Sequence, residues 1–241
     1  SPITRGLLPG SAKLGTHGEI VSAYASAVGM LGLGALPAAA GIFAVAGFLV
    51  PVLLGHKWLT VTPLIEVLAF NGVLLMFHSS ICAVLIGRGF TARVTLTNAC
   101  HAVMLISMLC VFFLLDVGVV GAAYAALLTS ALCTPIYLYQ LRRSLDIRSA
   151  VFVRAIARPL TAALIMAATV RAVLPDYDAT LAPHLTAMWL IGGIALGVVT
   201  YVAVEALVWV LAGRPDGAER LLGGGGHSHV DMALRERSRR F

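Results

Sequence analysis

The feature that most constrains this sequence is a series of apolar runs that contain no Asp, Glu, Lys or Arg. Six such runs occur, at positions 29–54, 67–87, 102–115, 118–138, 159–170 and 185–204. A helix needs about 20 apolar residues to cross the hydrocarbon core of a bilayer, and the shorter runs gain length from their polar flanks. Because the runs are continuously apolar and do not alternate, they predict helices and not the strands of a barrel.

The composition places the chain among membrane proteins. Of its 241 residues, 59% are apolar and 12% are charged, whereas a soluble domain carries about 25% charged residues. We therefore predict an all-α, polytopic membrane helix bundle. Its six spans are predicted at approximately 26–54, 62–87, 92–115, 118–141, 156–174 and 184–211. A cytoplasmic loop with an amphipathic segment is predicted at 1–25, the transmembrane helices together at 26–211, and a flexible basic cytoplasmic tail at 212–241.

The basic residues are distributed unequally between the two sides of the membrane. If successive loops alternate in side, 15 of the 17 Lys and Arg residues fall on one side, which the positive-inside rule makes cytoplasmic. Both ends are then cytoplasmic, and Gly55-His56-Lys57-Trp58 is a turn at the outer face with Trp58 as an interfacial anchor. The net charge of +6 is explained by orientation and by contact with membrane lipids, so it requires no nucleic-acid partner.

Several short patterns occur in a fixed order. The segment "LLPGSAKL" is followed by "HGEIVSAYASAVGML", by "ALPAAAGIFAVAGFLVPVLLGHKWLTVTPLIEVLAF" and by "ICAVLIGRGFTARV". This order resembles the C-terminal half of the polysaccharide-transport flippases of the multidrug/oligosaccharidyl-lipid/polysaccharide (MOP) superfamily. The resemblance covers about residues 6–175. The matching landmarks are Leu36-Pro37, Leu53-Leu54-Gly55, Trp58 and Gly87-Arg88.

The resemblance implies a transporter built from two pseudo-symmetric lobes, of which this chain is one. We accordingly expect the chain to be a C-terminal fragment whose partners are a missing N-terminal lobe or polysaccharide-assembly membrane proteins. The implied function is the flipping of an undecaprenyl-diphosphate-linked oligosaccharide across the bacterial inner membrane. Flipping makes and breaks no bond, so neither enzyme activity nor a cofactor is expected.

Two other functions remain open from the sequence. A drug/cation antiporter of the same superfamily would carry abundant acidic residues in its cavity. A membrane-embedded glycosyl or acyl transferase would need clustered Asp, Glu or His at one membrane face. Neither pattern is present, and the chain has no Walker-type phosphate loop, no paired acidic metal-binding motif and no Gly-x-Ser-x-Gly.

Polar side chains recur inside the predicted spans at helical intervals. Asn71 and His78 share one face of the second span, and Ser130, Thr134 and Tyr137 form a stripe in the fourth. Such stripes line a cavity or simply join packed helices. The histidines are candidate proton carriers or hydrogen-bonded core residues. The substrate-contact or coupling candidates are Glu205, His78, Asn71, His101, Asn98, Tyr201 and Glu66.

Of these candidates, Glu205 has the highest free-energy cost of placement within the membrane. Intramembrane carboxylates therefore usually face protein or water. It follows Gly193, Gly197 and Tyr201 at intervals of four residues. A coupling role, a structural ion pair and a side chain that reaches for the interface all remain open. Glu66 lies nearer the outer interface, where a solvated role costs little.

Arginines cluster at the predicted cytoplasmic side. Arg142, Arg143, Arg154 and Arg158 are candidates for contact with the diphosphate of the cargo, since Arg pairs well with phosphate oxygens. Orientation and lipid contact explain the same residues. Arg171 is near the outer end of its span, where it either reaches the interface or meets Asp176 or Asp178.

No metal site is predicted. His227 and His229 are too few to form a ligand set. The four cysteines fall inside the spans and are predicted to be small core residues, not ligands or disulfides. They are Cys82, Cys100, Cys110 and Cys133.

Overall fold

The computed structural model describes residues 17–146, 149–175, 177 and 182–211. Every secondary-structure element in this part of the chain is helical, which confirms the predicted all-α class. The elements are α1 (His17–Leu53), a 3-10 helix (His56–Val61), α2 (Thr62–Gly87), α3 (Thr91–Leu114), α4 (Gly118–Leu145), α5 (Ser149–Val173) and α6 (Pro183–Leu211). The predicted tail at 212–241 and most of the predicted segment at 1–25 lie outside the described residues.

The helices α1 to α4 are each followed within a few residues by a residue with a left-handed backbone conformation. Gly55, between α1 and the 3-10 helix, has φ of 88°, and Gly89, between α2 and α3, has φ of 83°. Glycine adopts these angles without the steric cost that a Cβ imposes. The turns are short, so consecutive helices from α1 to α4 run antiparallel. We call the side with Gly55 the Gly55 face and the opposite side, where α2 ends at Arg88, the Arg88 face.

Most helix bounds lie within a few residues of the predicted spans. The exceptions are the starts of α1 and α5, at His17 and Ser149, because helix continues beyond the apolar run into polar sequence. The α1 helix also runs through Pro37 and Pro51. The charge-free runs thus predicted the apolar part of these two helices and not their full length.

The α1 helix is central to the packing. It contacts α2, α5 and α6, while α4 packs against α2 and α3. The six helices therefore form two groups, α1 with α5 and α6, and α2 with α3 and α4. The groups meet mainly along α1 and α2, where Val28 and Ile81 are almost completely buried.

Large apolar side chains cover the outside of the bundle. Phe113 and Leu114 at the end of α3 are 84% and 82% exposed, and Ile191 of α6 is 67% exposed. In water this surface would be unfavourable, whereas lipid tails cover it without cost. Six helices of the described part are long and apolar enough to cross a membrane, as in a multi-pass membrane protein.

Candidate functional site

Polar side chains from α2, α3 and α4 meet inside the bundle and form the candidate site. We call this set the three-helix cluster. It consists of Asn71 and His78 of α2, Asn98 and His101 of α3, and Ser130, Thr134 and Tyr137 of α4.

Asn71 and Ser130 join α2 to α4. The Ser130 hydroxyl donates a hydrogen bond to Asn71 Oδ1 at 2.6 Å, and both side chains are buried. Two turns further along α2 and one turn further along α4, His78 Nε2 lies 3.0 Å from the Thr134 hydroxyl oxygen. Within apolar surroundings such bonds are the way in which polar groups are satisfied. They hold α2 and α4 in one register.

Tyr137 is the centre of the cluster. Its ring stacks on His78, with centroids 4.1 Å apart and an interplanar angle of 12°. Its hydroxyl donates to Asn98 Oδ1 at 2.9 Å and lies 3.4 Å from His101 Nδ1. Tyr137 therefore connects the buried imidazole of α2 to the polar side chains of α3.

The cluster is buried on one side and open on the other. His78 is only 4% exposed and Tyr137 only 3%, whereas Asn98 is exposed and His101 is half-buried. The α3 helix packs mainly against α4 and only lightly against α2. Polar groups at membrane depth thus reach the surface of the bundle at α3.

An ion pair near the Gly55 face joins the two helix groups. Arg171 of α5 lies 2.6 Å from a carboxylate oxygen of Glu66 on α2. The same guanidinium donates to the Phe43 backbone oxygen at 3.0 Å and lies over the Phe43 ring at 4.1 Å. The ion-pair partner of Arg171 is therefore Glu66, which the sequence position of Arg171 did not indicate. Asp176 and Asp178, the partners considered above, lie outside the described residues.

A second ion pair lies toward the Arg88 face, between α5 and α6. Arg158 Nη2 is 3.5 Å from Glu205 Oε1, so a phosphate-contact candidate and a coupling candidate lie together. One turn away, the Tyr201 hydroxyl donates to the Leu33 backbone oxygen of α1 at 3.0 Å. Of the readings left open for Glu205, this geometry agrees with a structural ion pair.

The remaining arginine candidates lie at the surface. Arg142, Arg143 and Arg154 are exposed, and Arg143 donates to the Tyr139 hydroxyl at 3.4 Å. Arg93, which was not a candidate, donates to Ser144 at 2.7 Å and joins α3 to α4. The Glu66–Arg171 pair, with its further bond to the Phe43 backbone oxygen, involves no residue of the three-helix cluster.

The cysteines differ in their surroundings. Cys133 is buried and contacts Met104 with 3.7 Å between the sulfurs. Cys100 and Cys110 are exposed, so the prediction of core positions was wrong for them, because α3 buries only one narrow face. All four are free thiols, and among the described residues no three His, Cys, Asp or Glu side chains are placed to hold a metal.

Comparison with known proteins adds no relative. No family model matches the chain, and neither a curated protein nor a solved structure matches it significantly. What the site does must therefore be argued from its own geometry and from the sequence patterns.

Proposed function

We propose that this chain is one lobe of a flippase that moves a lipid-linked oligosaccharide repeat unit across the bacterial inner membrane for surface polysaccharide synthesis. Its cargo is an undecaprenyl-diphosphate-linked oligosaccharide, and a second lobe completes the transport path. Both chain ends lie in the cytoplasm in this proposal. The Gly55 face is then the outer face, and the Arg88 face carries the arginines.

The observation that carries the proposal is the position of the sequence landmarks on the helices. Leu36-Pro37 lies inside α1. Gly55 has a positive φ and lies between the end of α1 and the 3-10 helix. Trp58 is in the 3-10 helix and is 54% exposed. Gly87-Arg88 ends α2. Three of the four landmarks that resemble the flippase family therefore fall at a helix end or in the turn between helices, and the fourth, Leu36-Pro37, places a proline inside α1.

The three-helix cluster suits the physical task of a flippase. A sugar head group cannot enter hydrocarbon without a large desolvation cost. A flippase lowers this cost by offering hydrogen-bonding groups along a protected path. Asn98 and His101 supply such groups at the open side of the cluster. Because no bond is made or broken, the task needs no nucleophile.

The test is interruption of the gene in its own host, followed by two measurements. Surface polysaccharide is measured on gels, and lipid-linked repeat units are measured by mass spectrometry of membrane extracts. We expect the polysaccharide to be lost and complete lipid-linked units to accumulate several-fold. A plasmid copy of the whole gene should reverse both changes.

The same measurements separate the other functions. Loss of a transferase would leave incomplete repeat units or none, without accumulation of complete ones. Loss of an antiporter would change drug resistance and leave polysaccharide unchanged. Either pattern would contradict the proposal.

A further inference from the structure

The hydrogen bonds of His78 determine which of its ring nitrogens carries a proton. The Thr134 hydroxyl donates its one hydrogen to the Ser130 backbone oxygen at 2.9 Å. It must therefore accept the bond from His78 Nε2 at 3.0 Å. In the neutral ring, His78 Nδ1 is then the bare, basic nitrogen. Among the described residues this buried nitrogen has no hydrogen-bond partner.

The same reasoning applies to His101. The Tyr137 hydroxyl uses its hydrogen on Asn98 Oδ1 at 2.9 Å. Its oxygen therefore faces His101 Nδ1 as an acceptor across the longer distance of 3.4 Å. His101 Nε2 becomes the basic nitrogen of this ring. The centroids of the two imidazoles are 5.9 Å apart. Each ring therefore has one nitrogen whose lone pair is available to bind a proton.

The surroundings contain no fixed charge. Segments 67–87, 94–115 and 118–141, which make up most of α2, α3 and α4, have no Asp, Glu, Lys or Arg. The two imidazoles are the only side chains of these segments that become positive on protonation. The ring of Phe152 on α5 packs against that of Phe77, the neighbour of His78 on α2. The charged contact between α5 and α2, Arg171 with Glu66, lies three turns of α2 away from His78. The other titratable groups nearby are the thiols Cys82, Cys100 and Cys133 and, on the adjacent α1, the phenol of Tyr24.

We propose that His78, Tyr137 and His101 form a proton-binding site that takes up one proton between the two imidazoles. An N–H bond forms at His78 Nδ1 or at His101 Nε2, and the proton comes from an acid in the surrounding water. The stacked Tyr137 ring stabilises an imidazolium by a cation–π contact. Repulsion across 5.9 Å opposes a second proton, since water screens poorly at this depth.

Access to the site is from the α3 side. Asn98 is exposed and His101 is half-buried, so water that reaches this surface meets His101 first. A charge inside the membrane is costly without water or a counterion. Proton uptake therefore favours hydration of the open side of the three-helix cluster.

The proposal stands independently of the flippase function, because its test measures proton binding and not transport. The full chain is labelled with 15N-histidine, placed in lipid nanodiscs and studied by imidazole 15N NMR over roughly pH 4 to 9. Single replacements assign the rings. We expect His78 and His101 to titrate as a coupled pair whose combined occupancy reaches one proton over the main transition.

Replacement of either ring should then change the titration of the other. His101→Gln should shift the midpoint of His78 by at least about half a pH unit, and His78→Gln should shift that of His101 equally, since coupling between two sites is reciprocal. His184→Gln is the matched control, because His184 is exposed on α6 and should leave both midpoints unchanged. Two histidines that only join the helices and bind no proton would show no such reciprocal shift.

A further variant, Tyr137→Phe, tests the proposal if the histidine variants fold poorly. Tyr137→Phe keeps the ring that stacks on His78 and removes the hydroxyl that faces His101, so it should shift the titration of His101. Two rings that each take up a full proton regardless of the other would overturn the proposal. Absence of any proton uptake by either ring across the pH range would overturn it as well.

Discussion

At the scale of single residues, polar side chains in this bundle are held by partners on other helices. Asn71 meets Ser130, His78 meets Thr134, and Tyr201 meets a backbone oxygen of α1. A polar group that faces hydrocarbon without a partner is costly, so these contacts decide how the helices are aligned. In the three-helix cluster, the same contacts determine where proton-accepting atoms remain.

Ser130→Ala tests the alignment of α2 with α4. The change removes the 2.6 Å bond to Asn71 and leaves the Asn71 oxygen buried. We expect a loss of about 1 kcal/mol in the free energy of unfolding, as for other hydrogen bonds between membrane helices. Ser107→Ala is the matched control, since the Ser107 hydroxyl is exposed and bonds only within its own helix, to Val103. Equal losses in detergent–urea unfolding would show that the interhelical bond contributes nothing specific.

Glu205→Gln tests whether the carboxylate serves mainly as the partner of Arg158. The side chains of Glu205 and Arg158 are 13% and 23% exposed, so removal of the carboxylate charge takes an ionic partner from a largely buried guanidinium. We expect Glu205→Gln to lower stability by about 1 to 3 kcal/mol. Lower stability should reduce the amount of the protein in the membrane, measured by immunoblot. The double variant Arg158→Gln/Glu205→Gln should restore most of that amount. Full abundance of Glu205→Gln, combined with failed polysaccharide export, would instead point to a coupling role.

The spacing of residues predicted part of this site. Asn71 and His78 lie seven residues apart, so their common face was evident from the helical period. Their partners lie 59 and 56 residues away, and only the register of α2 against α4 brings them together. The Glu66–Arg171 pair spans 105 residues and depends on the packing of the two helix groups. No local pattern contains that information.

At the scale of elements, the ends of helices were harder to predict than their centres. The charge-free runs located all six α-helices of the described residues, but α1 and α5 begin earlier, in polar sequence. The exposure of Cys100 and Cys110 has a related cause. An apolar run gives the same pattern whether a helix faces lipid or protein, so the run could not show that α3 buries one narrow face.

Gly193 provides a test of packing between elements. A Cβ added at Gly193 would lie 2.9 Å from a Leu174 methyl carbon and 3.2 Å from a Val45 methyl carbon of α1. Gly193→Leu should therefore push α6 away and lower stability by about 1 to 3 kcal/mol. At Gly192 an added Cβ would meet nothing within 4 Å. Gly192→Leu should have little effect, and equal losses would contradict the close contact of α6 with α1.

At the scale of the whole molecule, the two helix groups are joined by α1 with α2 and, near the Gly55 face, by the Glu66–Arg171 pair. Few contacts join α4 to α5. If the chain is a transporter lobe, it must change shape while the polar groups of its helices keep their hydrogen bonds. Two helix groups that meet along one main interface can move relative to each other in this way. In the proposed flippase, a polar cargo or a second lobe would approach the three-helix cluster from its open side.

The orientation of the molecule can be measured in a cysteine-free version of the chain. Lys57 is exposed in the 3-10 helix and Arg143 is exposed on α4 near the opposite face. An impermeant maleimide added to intact cells should label Lys57→Cys, and it should label Arg143→Cys only after the membrane is permeabilised. The reverse pattern would place the arginines outside and contradict the charge-based orientation.

The proposed flippase function is tested most directly by the sidedness of lipid-linked repeat units in host cells that lack the gene. Right-side-out and inverted inner-membrane vesicles are treated with a sugar-binding lectin that cannot cross the membrane. A flippase defect predicts that complete units are bound in inverted vesicles and are protected in right-side-out vesicles, with a normal distribution restored by the whole gene. If the units in cells that lack the gene were equally accessible from the outer face, the chain would not be a flippase.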